Sequence, residues 1–148
     1  MAISTMAMRW SALQVVSIAL GAAVAWHRFL GLDGTEFSGG SVTGPLLNLQ
    51  LGGTLFVTLA LLVAFAYPRA SAAMTLVAVP CCLPLHVYFL APGLFRGLFP
   101  GEYSVPMQSY FEFNSVDFWG VIVLIGMALV ALLVIRTTSG LSQLRTLR

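Results

Sequence analysis

His86 is the one strongly polar, ionisable side chain inside a long apolar run, so any chemistry in this chain starts there. A titratable group in hydrocarbon is costly, and its presence points first to a function. Imidazole ligates metals and haem iron and carries protons. Cys82 precedes His86 by four residues, which on a regular helix sets thiol and imidazole on one face. Such a pair is half of a metal site or the start of an activated thiol. Pro84 falls between them and disturbs that spacing. His27 closes an earlier apolar run, so a haem or metal held between His86 and His27 is a conceivable cofactor site. The plainer readings are favoured. His86 is then a neutral imidazole bonded to a carbonyl that the prolines release, and Cys82 a small buried hydrophobe.

No complete motif surrounds these residues, and no catalytic residue is assigned. Cys81 and Cys82 are adjacent rather than C-x-x-C, and no second pair exists. A disulfide framework, a zinc ribbon and thiol–quinone chemistry are therefore excluded. Serines lack a nucleophile elbow. Asp33 and Glu36 lack calcium-loop spacing, and the acids outside the apolar runs read as solvated loop charges. Gly31, Gly34, Gly39, Gly40 and Gly44 have neither the spacing nor the preceding strand of a phosphate loop. The seven basic residues are all arginines, scattered singly, so no stripe is available for nucleic acid.

The elements that must position His86 are membrane spans. The chain has 148 residues, 59% of them hydrophobic and only 8% charged, against about 25% charged in water-soluble proteins. So little charge cannot cover a surface facing water, and the lipid bilayer is the implied surrounding. A spanning helix needs about 20 apolar residues. Four runs approach this: about Trp10 to Trp26, Leu49 to Tyr67, Ala72 to Ala91 and Phe118 to Ile135, none with an Asp, Glu, Arg or Lys. They lack the in–out alternation of barrel strands. Trp10, Trp26, Tyr67, Phe118 and Trp119 sit at run ends, where aromatic residues favour the headgroup layer. Pro68-Arg69 reads as a tight turn between the second and third runs, making them antiparallel neighbours.

Arg9, Arg69, Arg136, Arg145 and Arg148 fall on one side of these spans, and only Arg28 and Arg96 on the other. The positive-inside rule then puts both termini in the cytoplasm; the expected location, separate from that rule, is the inner (cytoplasmic) membrane of a bacterial cell. All five acids fall in the two outer loops. A cleaved signal ending near Ala23-Val24-Ala25 is the disfavoured alternative. The predicted fold is a single all-α domain, residues 1–148: an integral membrane four-transmembrane-helix bundle, N-in/C-in. Its outer loops are 27–48 and 92–117 and its cytoplasmic tail 136–148. Pro80 and Pro84 predict a kinked third helix.

Ser17, Gly21 and Ala25 form a small-residue stripe suited to helix packing. The second outer loop carries Tyr103, Tyr110, Phe111 and Phe113, an aromatic set suited to a membrane surface or a protein partner. Transport through one copy is disfavoured, because no carboxylate or inverted repeat lies within the spans. Together these features predict a non-catalytic accessory subunit of a larger membrane complex, with other membrane subunits as partners; a respiratory or other electron-transfer assembly is the expectation on general plausibility and not on any residue. The rival readings are a small membrane enzyme or haem/metal redox carrier using His86 and His27, and an oligomeric small-molecule binder or transporter.

Overall fold

Backbone polar groups in lipid must be satisfied internally, and apolar runs of this length do so as helices. The computed structural model describes residues 2–31, 43–91, 94 and 115–146. They form α1 (Ala2–Leu30), α2 (Thr43–Val63), α3 (Pro68–Leu90) and α4 (Ser115–Thr146), with no strand among the described residues. All four are long and apolar enough to cross a bilayer, over Ser11–Leu30, Pro45–Val63, Pro68–Leu90 and Ser115–Thr138. The chain is a multi-pass membrane protein.

Helix ends differ from the apolar runs in ways that matter for the site. α1 starts at Ala2 rather than Trp10, and α2 covers Thr43–Val63 rather than Leu49 to Tyr67. Pro68 and Arg69 are not the turn but the start of α3, and the turn is residues 64–67. A proline suits a first helical position because the N–H it lacks would have had no helical acceptor. Tyr67 N donates to Val63 O at 2.8 Å and Ser71 N to Tyr67 O at 2.9 Å, closing the hairpin. Helix continues through Pro80 and Pro84 without a break. α4 begins at Ser115, three residues before Phe118, and runs on to Thr146, so the helix continues through residues 136–146 of the segment read as the tail. That early start takes Asp117 out of the outer loop and into the first turn of α4.

Each helix packs on the next, α4 closes back on α1, and α1 meets α3 only slightly across the middle. Contact pairs give the directions. Ser71 bonds Ala60 while Gly53 abuts Cys82, so α2 and α3 are antiparallel. Arg69 donates to the Thr138 carbonyl while Gly120 abuts His86, so α3 and α4 are antiparallel. Gly21 abuts Met127 while Arg28 reaches Asp117, so α1 and α4 are too. The result is an up-down-up-down four-helix bundle. α1 begins and α4 finishes at the same end, the Arg69 end; Arg28 and Asp117 mark the other.

The core is built from small residues: Ala22, Ala25, Ala60 and Ala78 with Ile18, Val57, Val79, Cys82, Leu124 and Met127. Between helices in lipid, close backbone approach replaces water exclusion as the attraction, and small side chains allow it. Large apolar side chains such as Leu20, Leu62, Phe65 and Leu129 point outward. Polar ones turn in. Gln14 donates to Ser71 Oγ and to Pro68 O, both at 3.1 Å, and Ser71 donates to Ala60 O at 2.8 Å. Gln50 donates to Ala25 O at 3.2 Å and Trp26 Nε1 to Thr58 Oγ1 at 3.1 Å.

Two glycines separate close packing from open surface. A Cβ on Gly53 would lie 2.5 Å from Cys82 Sγ and 3.0 Å from the Ala78 carbonyl, whereas one on Gly126 would meet nothing within 4 Å. Gly53→Leu is therefore expected to lower bundle stability by about 1–3 kcal/mol through overpacking. Gly126→Leu should stay within about 0.5 kcal/mol of the parent. Thermal unfolding in detergent micelles checks both.

Candidate functional site

Three buried ionisable side chains meet at the Arg28 end of the bundle, each from a different helix. His86 belongs to the inward face of α3, with Ser71, Thr75, Ala78, Val79, Cys82 and Leu85. This face repeats every three or four residues, so a continuous helix aims them all at the core. Asp117 stands in the first turn of α4, where the helix dipole favours a carboxylate. Arg28 stands in the last turn of α1, where the dipole favours a cation. His86 and Asp117 are 0% exposed and Arg28 8%.

The Asp117 carboxylate is the shared partner. Its Oδ1 lies 2.8 Å from His86 Nδ1 and 3.2 Å from Arg28 Nε. The Arg28 guanidinium also stacks over the Phe89 ring, 3.5 Å from its centroid, a cation–π contact that spreads charge against an apolar face. Guanidinium stays charged in proteins, so Asp117 beside it is the carboxylate, an acceptor only. With the carboxylate accepting, His86 donates from Nδ1, and in the neutral Nδ1–H tautomer Nε2 carries the lone pair. Gly120 makes room: a Cβ there would lie 2.6 Å from His86 Nδ1 and 2.7 Å from Cε1. Glycine at this position lets α4 close over the imidazole with Asp117 one turn away.

Chemically, a carboxylate fixing the tautomer of an imidazole is the arrangement that orients a general base or a metal-bound histidine. Here Nε2 is buried and meets no hydroxyl or thiol among the described residues. No group of three or more His, Cys, Asp or Glu residues gathers among them in ligand positions. The contacts join α1, α3 and α4 at one carboxylate oxygen.

The residues singled out from sequence fall in different places. His86 is central. His27 is exposed and outside the cluster; its neighbour Arg28, about 100° further round the helix, turns inward instead. Cys82 is buried one turn from His86 on the same face, against Gly53, and both cysteines are free thiols. Gly21 and Ala25 are buried, Gly21 against Met127, while half-buried Ser17 caps its own helix backbone at Gln14 O, 2.9 Å away. Tyr88 packs edge-on to Phe89 at 5.5 Å. Tyr103, Tyr110, Phe111, Phe113 and the glycine-rich segment 32–42 lie outside the described residues.

Arg28, Asp117 and Gln50 were missed. Asp117 is not a solvated loop charge but the most enclosed charge in the described bundle, because α4 starts before it. One signal was available: an arginine and an aspartate, opposite in sign, flank apolar runs on the same predicted side. No family model, curated protein or solved structure matches the chain.

Removing one member of a buried ion pair strands the other. Asp117→Asn is expected to destabilise the bundle by about 3–5 kcal/mol, and Arg28→Met by a similar amount. The double variant Arg28→Met/Asp117→Leu should recover much of that loss, since neither charge is left alone. Chemical unfolding in mixed micelles gives the comparison; additive losses would contradict the shared-partner arrangement.

Proposed function

We propose that this chain is a non-catalytic accessory subunit of a larger membrane assembly. The observation that carries this reading is how its polar and open positions are divided. Arg28, Asp117, His86, Gln14 and Gln50 are committed to ties between helices. On the outside, Gly52 and Gly126 have nothing within 4 Å of a Cβ built on them. They stand among exposed Leu55, Phe56 and Leu59 on α2 and Ile122, Ile125 and Leu129 on α4. Small gaps flanked by large apolar side chains suit close approach by a neighbouring transmembrane helix.

In this reading both termini face the cytoplasm of a bacterial inner membrane, as the arginine bias argues. α3 bends at Pro80–Pro84, since both lack the N–H that would bond the carbonyl four residues back. The aromatic segment with Tyr103, Tyr110, Phe111 and Phe113 lies on the outer side, against membrane surface or partner. Respiratory and other electron-transfer assemblies are the partners to examine first.

Extraction from native membrane in a mild detergent, followed by native mass measurement, should give a complex with other membrane subunits. Gly126→Leu should release the chain from it while leaving the bundle folded. Recovery of the parent protein as a lone protomer would refute the reading. Reporter fusions at each terminus should be active only as cytoplasmic reporters.

A further inference from the structure

The bundle register sets three buried hydrogen-bond acceptors at one level near the Arg28 end. Gly53 abuts Cys82 across the α2–α3 contact, and antiparallel packing carries that pairing on to Gln50 opposite Leu85 and His86. Gly120 abuts His86 across the α3–α4 contact, and Asp117 follows one turn further on. Gln50, His86 and Asp117 are each 0% exposed. The Gln50 amide nitrogen donates to Ala25 O at 3.2 Å, which sets the amide orientation, because the reverse would face two oxygens together. Gln50 Oε1, His86 Nε2 and Asp117 Oδ2 are then buried acceptors with no hydrogen-bond partner among the described residues.

Acceptors without a donor in a low-dielectric interior are strongly unfavourable; the Arg28 guanidinium beside Asp117 serves that carboxylate, which leaves Gln50 Oε1 and His86 Nε2 as the two acceptors to be met. A metal ion or organic cation would supply positive charge, but the Arg28 guanidinium already lies 3.2 Å from Asp117 and opposes a second cation there. An uncharged donor meets no such opposition. Leu46 and Leu85, with Tyr88 and Phe89 packed on them, provide apolar and aromatic surroundings at this level. We propose that this level of the bundle is a binding pocket for an uncharged O–H donor, either water or the hydroxyl of a membrane-soluble phenol or alcohol. His86 Nε2 and Gln50 Oε1 are the receiving atoms. Asp117 acts through the imidazole as a positioning residue, holding the tautomer that keeps the lone pair on Nε2.

The test uses the full chain labelled with 15N-histidine in lipid nanodiscs, with His86 resonances assigned by their loss in His86→Gln. An imidazole nitrogen that accepts a hydrogen bond moves upfield of a bare lone pair. If water is the occupant, Nε2 shows the bonded shift without additive, exchanges magnetisation with water and ignores 2,6-dimethylphenol. If a membrane hydroxyl is the occupant, titration with 2,6-dimethylphenol moves Nε2 saturably, and Gln50→Leu weakens that binding about fivefold, as for loss of one hydrogen bond. Either result supports the pocket and identifies its source. A bare Nε2 shift, unaffected by water or by the phenol in the parent protein, overturns it, and this measurement needs no variant to fold.

Discussion

A carboxylate enclosed among helices in lipid persists only where cationic and hydrogen-bonding neighbours neutralise it, and Asp117 is such a group. It draws Arg28 from the last turn of α1 and His86 from α3 onto one oxygen of α4. Outside this cluster, direction between helices comes from a few hydrogen bonds, among them those of Gln14, Ser71, Gln50 and Trp26. Small-residue packing tolerates a shift along the helix axis; a three-way ionic contact does not. The cluster therefore sets register among three helices, and α2 follows because the turn at residues 64–67 ties it to α3. Both dipole ends agree with the charges placed on them, which makes the arrangement self-consistent at the level of backbone and side chain.

Around that fixed end the bundle is organised with its polarity reversed relative to a water-soluble protein. Gln14, Gln50, Thr54, Ser71, Thr75 and His86 face the interior, and leucines and phenylalanines face outward. Thr54 and Thr75 return their hydroxyls to their own helices, at Gln50 O and Ser71 O. Gln14, Ser71 and Gln50 reach across to other helices. Glycine occurs where backbones must pass closely, at Gly53 over Ala78 and at Gly120 over the His86 ring. Cys82 gains its surroundings from the same contact, filling the space beside Gly53 as a small apolar group.

These features bear on function in one direction. Arg28, Asp117 and the Nδ1 edge of His86 are engaged in holding helices together, and the outward faces keep the gaps. The accessory role proposed for the chain rests on that division. The acceptors at Gln50 and His86 that have no partner among the described residues add a second property, a polar level at the Arg28 end distinct from the hydrogen-bonded Gln14–Ser71 level at the other.

The four spans, the helical fold and the lipid surroundings were legible in the sequence, because they rest on run length and on a charge content too low for water. His86 was legible as the odd residue for the same reason: an imidazole stands out in an apolar run. What tertiary structure alone decided is which groups meet it. Whether Asp117 is loop or helix turns on three residues at the start of α4, a boundary that hydropathy does not resolve. Whether His27 or Arg28 turns inward turns on helix rotation, set by packing on α4 rather than by either residue's type. Gln50 and Cys82 reach their places only through the register of α2 on α3. Composition acts locally and is written along the chain; partnership among Arg28, Asp117 and His86 depends on rotations and offsets that arise only when four helices pack at once.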